Sequence, residues 1–217
     1  MSLVYCWGAE LDSIDALMEQ GVAGYTGYVG QTPRSTVHHG SGVGTGAYSQ
    51  QGWSYKGFAF PGIVDLPQNP GLWWSWALLG GGSPGWDYQM FDTYGPTQKF
   101  RVFIGSGGFM KIFWNNGVGD ALLATSVHAL DAASWEDVAF QFKWDGTTYS
   151  LDIYVGGSLY VATTKASAVD YGNITGAGMY QQGAGTWYND DMRIFNDPTA
   201  DAASAKATGY VFAGQVS

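Results

Sequence analysis

Three carboxylates near the N-terminus have a spacing that could support acid–base chemistry. They lie in the segment Glu10-Leu-Asp-Ser-Ile-Asp15. Retaining glycoside hydrolysis needs two carboxyl groups about 5 Å apart on either side of the scissile bond. This segment instead continues into a helical pattern, in which Asp12 is a typical N-cap and Gly21 a typical end. We interpret it as a strand end followed by a helix cap; hydrolysis through Glu10 and Asp15 stays as an alternative.

A second acidic cluster, Asn189-Asp190-Asp191, offers the oxygen ligands that Ca²⁺ prefers. The surrounding sequence alternates like a strand, and neighbouring side chains of a strand point to opposite faces. Only one of Asp190 and Asp191 can then serve a given site, unless the strand bulges. We expect a structural cap or a pair with Arg193. No cofactor is therefore predicted, and a Ca²⁺ site at Asp190 and Asp191 is the weaker alternative.

Tryptophan side chains are the candidates for ligand contact, because a flat aromatic ring can stack on a sugar ring. The run 72–79 is apolar throughout and has the length of a strand covered on both faces. Within it, Trp74 and Trp76 share a face with the flanking leucines and are expected in the core, whereas Trp73 is on the other face. Trp86 follows in a loop. Trp73 and Trp86 are the predicted contacts for a glycan or a neighbouring subunit. A place in the core or at a subunit interface is favoured over a sugar contact, because interfaces are enriched in aromatic residues.

Other familiar reaction sites do not occur in the sequence. His38, His39 and His128 have no spacing typical of a metal site or a catalytic triad. The single Cys6 excludes an internal disulfide and a cysteine-based zinc site. No phosphate-binding loop, dinucleotide fingerprint or serine nucleophile elbow is present. We therefore predict no catalytic residue and a non-enzymatic protein.

The composition excludes several classes of partner. A formal net charge of −9 and the lack of a Lys/Arg cluster argue against nucleic acid and against an anionic membrane. No basic segment precedes a long apolar run, so no signal peptide is predicted. Charged residues make up 12% of the chain, about half the usual share. Such a surface is typical of a protein that contacts its own copies, so we expect a homo-oligomer.

The elements that must position these residues are clearest between residues 134 and 157. Apolar residues occupy every second position on both sides of Asp145-Gly146, which predicts an antiparallel hairpin with one buried face. The expected buried residues are Val138, Phe140, Phe142, Trp144, Tyr149, Leu151, Ile153 and Val155. The polar residues of the other face are Gln141, Lys143, Ser150 and Asp152. They form no convergent acid, base or ligand set, so we interpret the hairpin as a scaffold.

The rest of the sequence predicts more short strands joined by tight turns, since it has 33 glycines and 16% aromatic residues. They are expected near 3–7, 23–30, 43–49, 54–60, 72–79, 88–94, 99–104, 109–114, 158–164, 173–180, 187–196 and 208–213. About a dozen strands at this spacing predict an all-β fold, a two-sheet antiparallel β-sandwich. We expect a single domain over residues 1–217 with one short helix at 12–21.

Part of the hairpin resembles a signature of the laminin-G-like, concanavalin A-like lectin/glucanase jelly roll. Trp135 precedes the strand 138–143, a turn follows, and the next strand ends in Tyr154-Val-Gly-Gly157. The late segment 187–196 is similar to the closing strand of that family. The resemblance is good over residues 134–197. It implies the jelly-roll sandwich, a fold that hosts many unrelated functions.

Two further similarities concern function. Residues 4–10 are similar to the first strand of family members found as bacteriophage virion proteins. The run from Glu10 to Asp15 resembles the Glu-x-Asp-x-x-Glu run of laminarinase-type glycoside hydrolases, but Asp15 is one carbon shorter than the glutamate of that pattern. The first similarity therefore implies a virion protein, and the second is too incomplete to imply an enzyme.

Together these observations predict a structural protein of a bacteriophage virion, and above all a capsid decoration (cement) protein. Its partners would be the major capsid protein or other virion proteins and its own copies, with a trimer favoured. Its location would be the virion, after synthesis in the host cytoplasm. The alternative is a carbohydrate-binding, lectin-like adhesion module on a phage tail or particle surface, with or without Ca²⁺.

Overall fold

The computed structural model describes the chain in segments. Backbone is described for residues 2–7, 31–32, 48–51, 54–64, 72–81, 86–90, 99–105, 107–115, 118–131, 133–166, 174–181 and 186–196. Side chains are described for Trp73, Leu78 and residues 100–105, 107–114, 118–131 and 133–166. The predicted helix at 12–21 and the strands predicted near 23–30 and 208–213 lie outside the described residues.

Regular structure in the described residues consists of β-strands. In chain order they are β1 (Ser2–Trp7), β2 (Gln31–Thr32), β3 (Tyr48–Gln51), β4 (Ser54–Val64), β5 (Leu72–Gly81), β6 (Trp86–Met90), β7 (Lys99–Ile104), β8 (Phe109–Asn115), β9 (Asp120–Ala129), β10 (Trp135–Trp144), β11 (Thr148–Val155), β12 (Ser158–Ala166), β13 (Ile174–Gln181) and β14 (Thr186–Asn196). The predicted all-β class is confirmed. Within the same residues we find no helix whose length and hydropathy would suit a membrane span.

The strands form two antiparallel sheets. The eight-stranded sheet has the order β12-β11-β10-β5-β14-β3-β2, with β1 also paired to β14. The six-stranded sheet has the order β4-β13-β6-β7-β8-β9. Neighbours in sequence pair in the meanders β10–β12 and β6–β9, whereas β5 and β13 pair with strands far away in the chain. The predicted two-sheet sandwich is confirmed.

The predicted hairpin is formed by β10 and β11. Val138 pairs with Val155 at one end and Trp144 with Tyr149 at the other. Gly146 in the connecting turn has a φ of 97°, a left-handed conformation that glycine adopts without strain. The predicted core residues of both strands are buried, except that Val155 is half-buried.

The core lies between the two sheets. The ring of Phe142 in the eight-stranded sheet is 6.1 Å from that of Phe100 in the six-stranded sheet. Tyr149 and Trp114 make a second contact of this kind at 5.7 Å. Every second residue of β7 and β8 faces this core, and burial of each large apolar side chain contributes about 1.5–3 kcal/mol. These buried residues are Phe100, Val102, Ile104, Met110, Ile112 and Trp114.

Strand β9 is an element that the sequence pattern did not predict. Its residues are mostly exposed on both faces, and apolar and polar residues do not alternate along it. Its pairing with β8 shifts register twice, between Phe109 and Lys111 and between Ile112 and Phe113. Because β9 is the edge of its sheet, these bulges help prevent uncontrolled pairing with another chain.

Candidate functional site

Trp73 is not on an accessible surface. Its side chain is 1% exposed, and its ring lies 5.5 Å from the ring of Tyr154. Leu78, on the opposite face of β5, is also 1% exposed, so this inner strand is covered on both faces as its apolar sequence predicted. The exposure expected for Trp73 is therefore not observed. Contact between a ligand and Trp73 does not fit this burial.

The other predicted binding residue, Trp86, lies in a strand and not in a loop. It opens β6, opposite Ile104 of β7 and Gln181 of β13. Strand β6 begins earlier than the sequence indicated, because Trp86 itself joins the ladder. The Trp86 side chain lies outside the described residues, so its contact with a ligand or subunit stays a prediction.

The acidic residues proposed for Ca²⁺ binding or hydrolysis also remain untested predictions. Asp190 and Asp191 lie in β14, where the pairing with β5 shifts register between Asp190 and Arg193. At such a bulge two residues of one strand oppose one of its partner, which is the condition under which both carboxylates could share a site. Their side chains, and all of Glu10 and Asp15, lie outside the described residues. Among the side chains that are described, no three His, Cys, Asp or Glu residues group as a metal site.

The outer face of the β10–β11 hairpin brings its polar side chains together. Lys143 Nζ lies 2.7 Å from Asp152 Oδ2, and the Tyr154 hydroxyl donates to Gln141 Oε1 at 3.4 Å. Burial, followed by the negative charge of Asp152, raises the pKa of Tyr154 above its usual 10.0. The sequence had indicated no convergent set here. These groups nevertheless bond to one another across the strands, so we interpret the cluster as support for the sheet.

The outer face of the β7–β8 hairpin has a different composition. Its side chains alternate with fully buried core residues, and they combine positive charges with aromatic rings. We call this surface the cation–aromatic face: Arg101 and Phe103 of β7, and Phe109, Lys111 and Phe113 of β8. Phe109 is 41% exposed, Lys111 is exposed, and the other three are half-buried. Because several aromatic rings lie together on a solvent-facing sheet surface, this face is the candidate contact site.

The register intersperses the charges among the rings. Arg101 is directly opposite Phe113, and Phe103 is directly opposite Lys111. Side chains in such pairs have Cβ atoms about 4.5–5.5 Å apart. Phe109 and Phe113 lie two residues on either side of Lys111 along β8. On this face of the ladder, Lys111 is thus bordered by phenylalanines at three neighbouring positions.

Polar residues border the face. Arg101 Nη1 forms an ion pair with Asp120 of β9, and the two side chains are 23% and 22% exposed. On the other side, register places Gln89 of β6 opposite Arg101 and Asp87 opposite Phe103. A set of rings with hydrogen-bonding groups at its margin is the composition of a small-molecule site.

The turn that joins β7 and β8 holds the face in a fixed geometry. Gly108 has a φ of 76°, and its carbonyl accepts a hydrogen bond from Leu130 N at 3.0 Å. Its own N–H donates to the Gly105 carbonyl at 2.9 Å. A Cβ at position 108 would lie 2.9 Å from the Leu130 carbonyl oxygen. The rings are therefore presented by a tight, preorganised hairpin.

Comparisons with known proteins address the fold. No family model and no curated protein matches the chain. Solved structures do: a legume lectin-like domain from Entamoeba histolytica has a TM-score of 0.58 at 9% identity, over 89% of this chain and 97% of that one. The metal-free carbohydrate recognition domain of Emp46p has a TM-score of 0.58 at 10% identity, over 88% and 95%. An endo-beta-1,4-glucuronan lyase from the fungus Trichoderma reesei has a TM-score of 0.58 at 12% identity, over 95% and 99%.

The chain has a lectin-like β-sandwich fold. The fold implied by the concanavalin A-like resemblance is thereby confirmed, whereas the virion role stays a prediction. Binding modules and an enzyme share this lectin-like sandwich, so the fold alone does not separate binding from catalysis.

The sequence does contain a signal for the cation–aromatic face. In Phe100-Arg-Val-Phe-Ile104 and Phe109-Met-Lys-Ile-Phe-Trp114, apolar residues occupy both strand faces. Phe103 and Phe113 stand where strict alternation would place polar residues. Such a pattern is also typical of a strand buried on both faces, which is why sequence reasoning passed over it.

Proposed function

We propose that this protein is a non-catalytic carbohydrate-binding module whose sugar site is the cation–aromatic face. The observation that carries the proposal is the row of phenyl rings on the outer surface of a sheet whose inner surface already forms a complete core. A pyranose ring has an apolar C–H face bordered by hydroxyl groups. Phe103 and Phe113 can stack on that face, while Arg101 and Lys111 bond to the oxygens at its edge.

The similar structures support this proposal through their printed names, which include a lectin-like domain and a carbohydrate recognition domain. The side chains of the face favour binding over catalysis. Its charged members are the cations Arg101 and Lys111. The neighbouring Asp120 carboxylate is engaged with Arg101. We therefore assign no general base to this surface.

Substitution of a ring tests the proposal. Stacking on Phe113 buries part of a large apolar side chain, so we expect Phe113→Ala to weaken sugar binding about 10- to 100-fold, the equivalent of roughly 1.4–2.8 kcal/mol. Binding is found on a glycan array and quantified by isothermal titration calorimetry. Tyr154→Ala, on the outer face of the other sheet, is the matched control and should retain affinity. Equal losses in the two variants, or no sugar binding by the parent protein, would contradict the proposal.

A structural role in a bacteriophage particle is the second candidate. Protein interfaces select aromatic and arginine side chains as well. Apolar exposure also continues along β9, where Leu122 is 54% and Val127 80% exposed. In this candidate the same surface of a trimeric decoration protein contacts the major capsid protein or its own copies in the virion. Sedimentation as a monomer, together with no binding to capsids that lack it, would exclude the role.

A further inference from the structure

The β7–β8 hairpin is a positively charged part of a negatively charged protein. The net charge of the chain is −9, from nine basic and 18 acidic residues. Residues 93–119 contain three of those basic residues, Lys99, Arg101 and Lys111, and no Asp or Glu. Two of the three belong to the cation–aromatic face. Positive charge is therefore concentrated where the exposed rings are, although the chain as a whole is negatively charged.

Lys111 is the cation best placed to meet a ligand. It is exposed, and three phenylalanines occupy neighbouring positions on its face: Phe103 across the ladder and Phe109 and Phe113 along the strand. A negative group that binds this ammonium would be partly shielded from water by the rings. Charge pairs gain strength as the local dielectric falls. The same rings would contact the ring of a sugar that carries the negative group.

Two acidic residues can be located near this cation from the described part of the chain, and neither is directly opposite it. Asp120 pairs with Arg101 and is opposite Asn115 in the ladder. Asn115 is four residues along β8 from Lys111, a distance of about 13 Å at the usual strand rise. Asp87 of β6 lies beyond β7, opposite Phe103 and one strand removed from Lys111. Among the side chains that the structure describes, no carboxylate is therefore paired with Lys111, whereas Arg101 is paired with Asp120.

We propose that the cation–aromatic face selects anionic sugars, with the acidic group of the sugar on Lys111 and its ring against Phe103 and Phe113. This inference rests on the proposed carbohydrate-binding function and specifies its ligand class. The carboxylate of a uronic acid and a sulfate ester both fit this site, because both present oxygens to an ammonium. The net charge of −9 disfavours long polyanions such as nucleic acid, which would face repulsion from the rest of the molecule.

Three oligosaccharides of equal length distinguish the sources: a uronate tetrasaccharide, its carboxyl-reduced neutral form, and a sulfated neutral tetrasaccharide. Titration calorimetry with the full chain measures each one. We expect the uronate or the sulfated ligand to bind at least about tenfold more tightly than the neutral form, since a hydrogen bond to a charged group has this effect. The advantage should shrink when salt is raised, because the pair is partly exposed to solvent.

Lys111→Gln tests the named residue. It should remove the advantage of the anionic ligand, so that the anionic and neutral forms bind the variant with equal affinity. Lys165→Gln is the matched control, because it changes the net charge equally and lies on β12 of the other sheet. Both positions are at least partly exposed, so both variants should fold, which circular dichroism verifies.

The outcomes separate this inference from the function on which it rests. Equal affinity for the anionic and neutral ligands would overturn the inference and leave carbohydrate binding intact. Equal losses in Lys111→Gln and Lys165→Gln would also overturn it, since the effect would then come from net charge alone. If none of the three ligands binds and the glycan array is blank, both proposals fail.

Discussion

Ser126 offers a stringent test of the structure at the edge of the six-stranded sheet. Its side chain is buried, with 5% of its surface exposed. Ser126 Oγ accepts the Met110 N–H at 3.0 Å and donates to the His128 carbonyl at 2.7 Å. This occurs where β9 shifts register against β8. The hydroxyl therefore takes the place of a backbone acceptor that the bulge removes from the ladder.

Ser126→Ala should leave the Met110 N–H buried without an acceptor. The cost of an unsatisfied buried donor is about 1–3 kcal/mol. The His128 carbonyl should be affected less, because the Tyr160 hydroxyl of β12 also donates to it. A loss of about 2 kcal/mol corresponds to a fall in Tm of roughly 4–8 °C for a domain of this size.

Calorimetry and chemical denaturation measure this loss, and amide hydrogen exchange at Met110 reports its location. Ser158→Ala is the control, since Ser158 is an exposed serine of the edge strand β12. We expect the control to change stability by less than about 0.5 kcal/mol. If Ser126→Ala is as mild as the control, with Met110 exchange unchanged, then the hydroxyl does not close the bulge and the reasoning is wrong.

Three further predictions concern turns and the contact between the sheets. Gly108→Ala should lower the free energy of unfolding by about 1–3 kcal/mol, because φ is +76° and the new Cβ would meet a carbonyl oxygen at 2.9 Å; Gly119→Ala, in open space, should be mild in the same denaturation assay. Asp145→Ala should lower Tm at pH 7, and this difference should shrink as the pH falls below about 4. Tyr160→Phe removes a bond between the edge strands β9 and β12 and should cost about 0.5–1.5 kcal/mol by the same assay.

The sign of the Asp145 prediction follows from its hydrogen bonds. The N–H and hydroxyl of Thr147 and the N–H of Thr148 donate to the carboxylate and hold the pKa of Asp145 below its usual 3.8. A lowered pKa in the folded state stabilises the fold above the unfolded value, and this contribution disappears as the pH falls through the folded value. A Tm difference that is constant between pH 7 and pH 2 would contradict the assignment for Asp145. The prediction for Gly108 would be wrong if Gly108→Ala were as mild as Gly119→Ala, and that for Tyr160 would be wrong if Tyr160→Phe left the stability unchanged.

Local patterns in the sequence predicted the local parts of the fold. The alternation on both sides of Asp145-Gly146 predicted the β10–β11 hairpin and its buried face, because strand partners joined by a tight turn have little freedom in pairing. Strand β9 escaped prediction because an edge strand with two bulges has neither a continuous buried face nor strict alternation. Local sequence patterns could not predict which strands pair when they are distant in the chain. The position of β5 between β10 and β14 depends on contacts among distant segments.

The candidate site also combines features that local sequence patterns predict with features that depend on the packing of the whole sandwich. The apolar run 72–79 predicted a strand covered on both faces, and Trp73 is buried accordingly. Alternation put Trp73 on the face opposite Trp74 and so made it a candidate for ligand contact, a choice that neglected this coverage. The pairs Arg101–Phe113 and Phe103–Lys111 follow from one short hairpin and were available from its register. They were not recognised because phenylalanine is most often a core residue, and its exposure is decided by the packing of the whole sandwich.

Chemical-shift mapping of the ¹⁵N-labelled protein with a bound oligosaccharide tests the central claim most directly. If sugars bind the cation–aromatic face, the largest shifts should occur in β7 and β8 around Phe103, Lys111 and Phe113, and should extend to Asp120. The amides of the β10–β11 hairpin, on the other sheet, should stay unchanged. Shifts confined to that hairpin, or a bound sugar that leaves β7 and β8 undisturbed, would contradict the claim.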